Sequence, residues 1–191
     1  TYFDSTSGDV QQNSNPQSGS TETGLVKLIW TPTDEHRLTF VGEMFDSGLE
    51  TNITSDLGTA VSRGVVSNTT LSTGDDERQR ERLSVHYEYT PKQGVFNRYT
   101  FDAYSQSSET LQHTELGRTQ LSEPPVSTFR TRDSHFKQDT VGVLSQIDFQ
   151  FKGAIDHYLI AGVEWQETDS EALREGLTVE ATSGAVIPEF S

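Results

Sequence analysis

HFKQDTVGVLSQIDFQFK (residues 135–152), GAID (153–156) and HYLIAGVEWQET (157–168) are the stretch on which the fold turns. In the first arm Val141, Val143, Ile147, Phe149 and Phe151 alternate with Gly142, Gln146, Asp148 and Gln150, so one side is apolar and the other carries amides and a carboxylate. Period two is the signature of a β-strand. The second arm repeats it, with Leu159, Ala161, Val163 and Trp165 on one side and Gly162, Glu164, Gln166 and Thr168 on the other. Gly153-Ala154-Ile155-Asp156 is the expected turn between them. Each arm is longer than the usual globular strand of about 5–6 residues. Each also matches the roughly 9–11 residues with which a tilted strand crosses a bilayer. The apolar side therefore meets either a second sheet or lipid.

Two further hairpins precede this one. LVKLIW (25–30) and RLTFVGEMFD (37–46) flank a turn at Pro32-Thr33-Asp34-Glu35, with proline suited to its first central position. Leu38, Phe40 and Met44 oppose Arg37, Thr39 and Glu43, whereas the 25–30 arm alternates imperfectly. In RQRERLSVHYEYT (78–90), Leu83, Val85, Tyr87 and Tyr89 oppose Arg82, Ser84, His86 and Glu88. A turn from Pro91-Lys92-Gln93-Gly94 leads to RYTFDAYSQSSETLQ (98–112). The reading is all-β: an antiparallel up-and-down meander of about six long strands in three hairpins, at about 24–31, 37–46, 78–90, 98–112, 135–152 and 157–168. Between them, residues 1–23, 47–77, 113–134 and 169–191 are rich in Ser, Thr, Gly, Asn and charge and are expected as long loops at one end, with Pro124-Pro125 excluding a central strand. Tyr2 and Phe3 are expected as the end of a preceding strand.

Alternating short turns and long loops place every long loop at one end of the sheet, the asymmetry of outer-membrane barrels. Trp30, Tyr87, Tyr89, Tyr99, Phe149, Phe151 and Tyr158 fall close to the short turns, as an interfacial girdle would, with Trp165 near the opposite interface. The competing arrangement is a soluble β-sandwich that seals Val85, Phe149 and Val163 in a dry two-layer interior.

Composition narrows the field. The hydrophobic fraction is 31% and mean hydropathy is −0.60, which excludes a bundle of spanning helices but not a barrel, whose strands dilute their apolar residues. There is no cysteine, hence no disulfide framework, thiolate catalyst or cysteine metal site. A net charge of −15 argues against nucleic acid. Thr1-Tyr2-Phe3-Asp4 has neither the charged nor the apolar segment of a signal peptide and reads as a cut, so a fragment is expected.

The phrases SNPQSGSTETGLVKLIWTPTDEHRLTFVGEMFDSGLETNI (14–53), RQRERLSVHYEYTP (78–91) and RYTFDAYSQSSETLQ (98–112) resemble the early barrel of TonB-dependent outer-membrane receptors, most closely the haem and haemoglobin receptor branch. The matching pieces are Asn15-Pro16-Gln17, Lys27-Leu28, Pro32 to Leu38, Phe45-Asp46-Ser47, and Arg80-Glu81-Arg82 ahead of Tyr87-Glu88-Tyr89. The resemblance covers most of residues 14–168, and the turn phrase TPTDEHRL marks the superfamily rather than a ligand. It implies a piece of a 22-stranded barrel in the outer membrane of a Gram-negative bacterium. Its role would be uptake of haem or haemoglobin iron, or of a siderophore or other iron carrier. Energy would come from the TonB, ExbB and ExbD proteins through a plug that this stretch does not contain. Haem would be cargo, not a resident cofactor, and no family functional residue maps onto a position here.

Individual candidates are few. His113, at the start of an expected loop, could offer an imidazole to haem iron against the plainer reading of a solvated histidine. His86 is expected on the lumen side beside Glu88, and His36 and Arg37 in an inner turn. Asp75-Asp76-Glu77 could hold Ca²⁺ but reads more simply as a solvated run. The Asn-x-Thr triplets at Asn52 and Asn68 carry meaning only in a eukaryotic secreted protein. No G-x-S-x-G, H-E-x-x-H, P-loop or dinucleotide fingerprint gathers the many Ser, Asp and Glu into a catalytic set, and no enzyme is expected. The expected lumen face is Arg82, Ser84, His86 and Glu88 with Gln146, Asp148, Gln150, Glu164 and Gln166.

Overall fold

In the computed structural model, which describes residues 14–151 and 155–189, the chain forms one antiparallel sheet. Six long strands follow one another: β1 (Gln17–Thr33), β2 (His36–Asn52), β4 (Val65–Tyr89), β5 (Arg98–Gln120), β6 (Val126–Phe151) and β7 (His157–Glu180). Two short ones, β3 (Gly58–Ser62) and β8 (Val186–Pro188), pair with β4 and β7. The only helical piece among the described residues is a 3-10 turn at Thr54–Asp56, so no helix is long and apolar enough to cross a membrane.

The up-and-down meander follows the hydropathy pattern. Register partners in an antiparallel ladder share a face. Leu28 pairs with Phe40, Phe40 with Val85, Val85 with Ala103, Ala103 with Val143, and Val143 with Trp165, so one row of side chains runs across all six strands. The period-two apolar residues of six separate segments thus fall on one surface. No second layer covers it among the described residues. The buried side chains there are Thr39, Thr69, Ser72, Thr140 and Asp148, and none is apolar.

At the short-turn end the expected boundaries agree with the structure. Asp34 and Glu35 link β1 to β2, residues 90–97 link β4 to β5, and β7 begins at His157. Pro32, which has no N–H to donate, lies where the β1–β2 register shifts between Trp30 and Thr33. Gly153 and Ala154 of the third turn lie outside the described residues, as do Tyr2, Phe3 and the first part of the expected 1–23 loop.

At the other end the expected loops are largely sheet. β4 starts at Val65 rather than 78, β5 runs to Gln120, β6 starts at Val126, and β7 runs to Glu180. The connections there shrink to 121–125 and 181–185, plus residues 53–64, which hold the β3 hairpin turned by Arg63 (φ 49°) and Gly64 (φ 81°). Two positive φ values in a two-residue loop are what a type I′ hairpin requires. The expected loops 47–77, 113–134 and 169–191 are corrected accordingly, and only residues 17–23 of the expected first loop are described as strand. These segments are largely polar on both faces, with scattered apolar residues such as Leu111, Phe129 and Leu173, so they lack a regular hydropathy alternation. They hold together through backbone pairing, which runs unbroken from Arg98↔Asp148 to Gln120↔Val126 and shifts register between β4 and β5 only at Thr69–Leu71. At 26 residues β6 is about 85 Å long at 3.3 Å per residue, far more than a bilayer's hydrocarbon core of about 30 Å.

Candidate functional site

The apolar face carries Val26, Leu28 and Trp30 on β1, Leu38, Phe40 and Met44 on β2, and Leu83, Val85, Tyr87 and Tyr89 on β4. It continues through Tyr99, Phe101 and Ala103 on β5, Val141, Val143, Ile147 and Phe149 on β6, and Leu159, Ala161, Val163 and Trp165 on β7. Val163 and Leu83 are each 69% exposed, Trp30 60% and Trp165 51%. Along a strand the band spans seven to nine residues, about 20–30 Å. Small side chains at Gly42, Ala103 and Ser105 leave a trough of about 640 Å³ between Phe40, Leu83, Val85, Val143 and Trp165.

Aromatic rings collect along the short-turn edge of this band. His36 stacks on Tyr89 with centroids 4.6 Å apart, and its Nδ1 lies 2.8 Å from the Tyr87 hydroxyl. Tyr87 meets Tyr99 edge-on at 6.3 Å. His36 therefore belongs to the aromatic edge rather than only to a turn. Trp165 sits at the far edge of the band, where the same face continues as Glu167. Tyr158 departs from the expected girdle: it lies on the polar face, where its hydroxyl donates to Asp148 at 3.1 Å.

The residues expected on the polar face do share one. At its short-turn end Asp148, 2% exposed, accepts from Arg98 Nε at 2.9 Å, from Gln146 Nε2 at 2.8 Å and from Tyr158, and forms an ion pair with Arg98 Nη2 at 2.9 Å. One carboxylate thereby ties the start of β5, the end of β6 and the start of β7. A buried charge persists only when so surrounded. His86 Nδ1 lies 2.7 Å from Asp102 Oδ1 on the neighbouring strand. Arg82 lies 5.2 Å over the Tyr104 ring, whose hydroxyl donates to Gln166 at 3.0 Å. Gly142 makes room for that ring, since a Cβ there would come within 2.7 Å of it.

Beyond the band, the two faces of the long strands separate by charge. The face continuing from the apolar band carries Asp75, Glu77 and Glu81 on β4, Glu109 and Glu115 on β5, Asp133 and Asp139 on β6, and Glu167, Asp169, Glu171 and Glu175 on β7. The polar face carries Arg78, Arg80 and Arg82 on β4, Arg118 on β5, Arg130 and Arg132 on β6, and Arg174 on β7. Glu189 pairs with Arg130 at 3.7 Å and with Arg132, and accepts from Thr178 at 3.1 Å. Burial would raise the Glu189 pKa, but hydrogen bonds from Arg132 and Thr178 and the two positive charges outweigh it and hold the carboxyl below the usual range.

His113 sits within β5 rather than at the mouth of a loop, on the acidic face. Its Nδ1 lies 2.6 Å from Asp133 Oδ1 and its Nε2 3.5 Å from Glu115 Oε1, so carboxylates engage both ring nitrogens. Above it on β6, His135 Nε2 is 2.6 Å from Glu109 Oε1, an approach not aligned as a hydrogen bond. The Asp133 hydrogen bond, aided by Glu115 against a smaller opposing effect of burial, lifts the His113 pKa above the ordinary 6.5. A raised folded-state value means that the charged ring stabilises the fold fully below pH 6.5, and that this contribution disappears as pH climbs through the raised value. His113→Gln should therefore flatten the fall of the urea midpoint between about pH 6 and 8, by up to about 1 kcal/mol for a half-exposed pair. An unchanged slope in the variant would remove this role.

The other expected candidates separate. Asp75 and Glu77 share one face while Asp76 points to the other, so the acidic run does not converge, and no cluster of metal-ligating side chains occurs among the described residues. The arginine face was hidden in segments expected to be loops. Its signal is an alternation of charge sign, as in Asp75-Asp76-Glu77-Arg78-Gln79-Arg80-Glu81-Arg82. No protein-family model matches the chain, and no curated protein matches it.

Proposed function

We propose that this chain is a section of the wall of a transmembrane β-barrel in the outer membrane of a Gram-negative bacterium. The observation that carries the reading is the band of exposed apolar side chains crossing six register-matched strands, with no buried apolar core among the described residues. Water would leave that surface unsatisfied; bilayer hydrocarbon of about 25–30 Å fits its height. Tyrosine and tryptophan at its two edges suit the two interfaces. Strand extensions beyond the band then stand outside the bilayer, in the manner of the tall outer rim of such barrels.

Within that class, the residue phrases from Asn15-Pro16-Gln17 to Tyr87-Glu88-Tyr89 support a TonB-dependent receptor for haem or haemoglobin iron, with this sheet as part of a 22-stranded barrel and the TonB, ExbB and ExbD proteins acting through a plug. Haem is then transported cargo. With both His113 nitrogens against carboxylates, on the outward face above the apolar band, the axial ligand in this reading comes from elsewhere in the receptor.

The chain refolded from urea into detergent micelles or phospholipid vesicles should gain strand signal and a gel mobility that changes on boiling. In plain buffer it should aggregate. A cooperative monomer in plain buffer would overturn the membrane reading. The receptor reading is tested on the full-length gene product, whose expression should let an iron-starved host grow on haemoglobin; failure with haem and haemoglobin alike would turn it toward another carrier.

A further inference from the structure

We propose that Arg78, Arg80 and Arg82 form a docking ladder for a small soluble anion bearing two or more carboxylate or phosphate groups. The three alternate residues lie on one face of β4, about 6.7 Å apart. Three guanidiniums in a row repel one another unless an opposite charge is supplied. Among the described residues none of the three has an ion pair, although the chain as a whole is at −15. Their register neighbours on β5 are Thr110, Ser108 and Gln106, and those on β2 are Ser47, Phe45 and Glu43; with Asp76 two residues along β4 on the same face, two carboxylates adjoin three cations. The Arg82 Nε is buried, and among the described residues it has no hydrogen-bond partner, while the guanidinium rests over the Tyr104 ring.

Guanidinium forks match carboxylate and phosphate oxygens, and hydroxyls and amides alongside add donors without adding repulsion. The chain's own carboxylates are mostly turned to the opposite face at this height, among them Glu77, Glu81 and Glu109. A ligand approaching the arginine face therefore meets cations rather than the net negative field. Because the ladder is on the side away from the apolar band, its occupant is a solute and not a lipid headgroup. Placing the ladder on the lumen side of a receptor rests on the barrel reading; anion binding itself rests only on strand register.

The test uses the full chain folded in zwitterionic detergent, with isothermal titration of citrate and separately of tripolyphosphate. Arg78→Gln and Arg80→Gln should each weaken binding about tenfold, the value of one charged hydrogen-bonding group. Raising salt should weaken it further, and Glu77→Gln and Glu81→Gln on the opposite face should not weaken it. Absence of binding, indifference to the arginine substitutions, or equal loss with Glu81→Gln would overturn the proposal. So would displacement of citrate by micelles doped with phosphatidylglycerol, which would make a headgroup the occupant. Circular dichroism of each variant guards against misfolding. The boiling-dependent gel shift of the same samples reports the membrane reading separately: anion binding without it sinks the barrel and keeps the ladder.

Discussion

Val163→Arg is expected to destabilise the membrane-folded chain by about 2–4 kcal/mol, the cost of a guanidinium near the middle of a barrel's lipid face. The next residue provides the control. Glu164 points to the polar face, and Glu164→Arg should stay within about 0.5 kcal/mol, as substitutions at wet positions do. Urea unfolding in vesicles measures both. Val163 is 69% exposed, so if its surroundings were water an added charge would cost no more than it does one residue along. The difference between neighbours on opposite faces thus measures what touches the apolar band, independently of any family resemblance. Equal costs would end the proposal that lipid covers it.

Much of this arrangement was legible in the sequence, for a physical reason. Where one face is apolar and the other polar, a slip of one residue would reverse every side chain, so hydropathy encodes the register as well as the strand. Val141, Val143, Ile147 and Phe149 therefore announced β6, and the apolar row from Leu28 to Trp165 follows from the same alternation in six places. The short turns were readable because Pro32 and Pro91 restrict the backbone and Gly94 frees it, each of which favours a turn. The strand extensions were not. In Thr131-Arg132-Asp133-Ser134-His135 both faces are polar, hydropathy is flat, and what alternates is charge sign, which period-two hydrophobicity does not register. Serine, threonine and glycine in 47–77 have the composition of loop formers, although backbone pairing to a neighbouring strand holds them extended. Candidate sites suffered for the same reason. A histidine in an expected loop has no face, whereas His113 in β5 has one, with Asp133 opposite it. Tyr158 was legible through the same alternation, which places it with Gly162 and Glu164 on the polar side, although its closeness to the short turn counts it among the expected girdle.

The Asp148 cluster shows how a polar face can stabilise a sheet that has no apolar core of its own. Asp148→Ala would leave the Arg98 guanidinium, the Gln146 amide and the Tyr158 hydroxyl without their shared acceptor. Stranding a partner of a buried ion pair costs about 3–5 kcal/mol. Arg98 is 45% exposed here and can turn partly to water, so about 2–3 kcal/mol is expected. Asp139 provides the contrast: it accepts from the Ser107 hydroxyl and faces Lys137, at 2.6 and 3.2 Å, but it is half exposed, and Asp139→Ala should cost far less than Asp148→Ala. The cluster joins β5, β6 and β7 next to two of the short turns, so its loss should open that corner first. Hydrogen exchange should then rise at residues 98–100 and 146–149 before it rises in the extensions near 120 and 126. If Asp148→Ala unfolds no earlier than Asp139→Ala, the carboxylate is not the fastening of this corner, and cross-strand pairing alone would have to hold the three strands together.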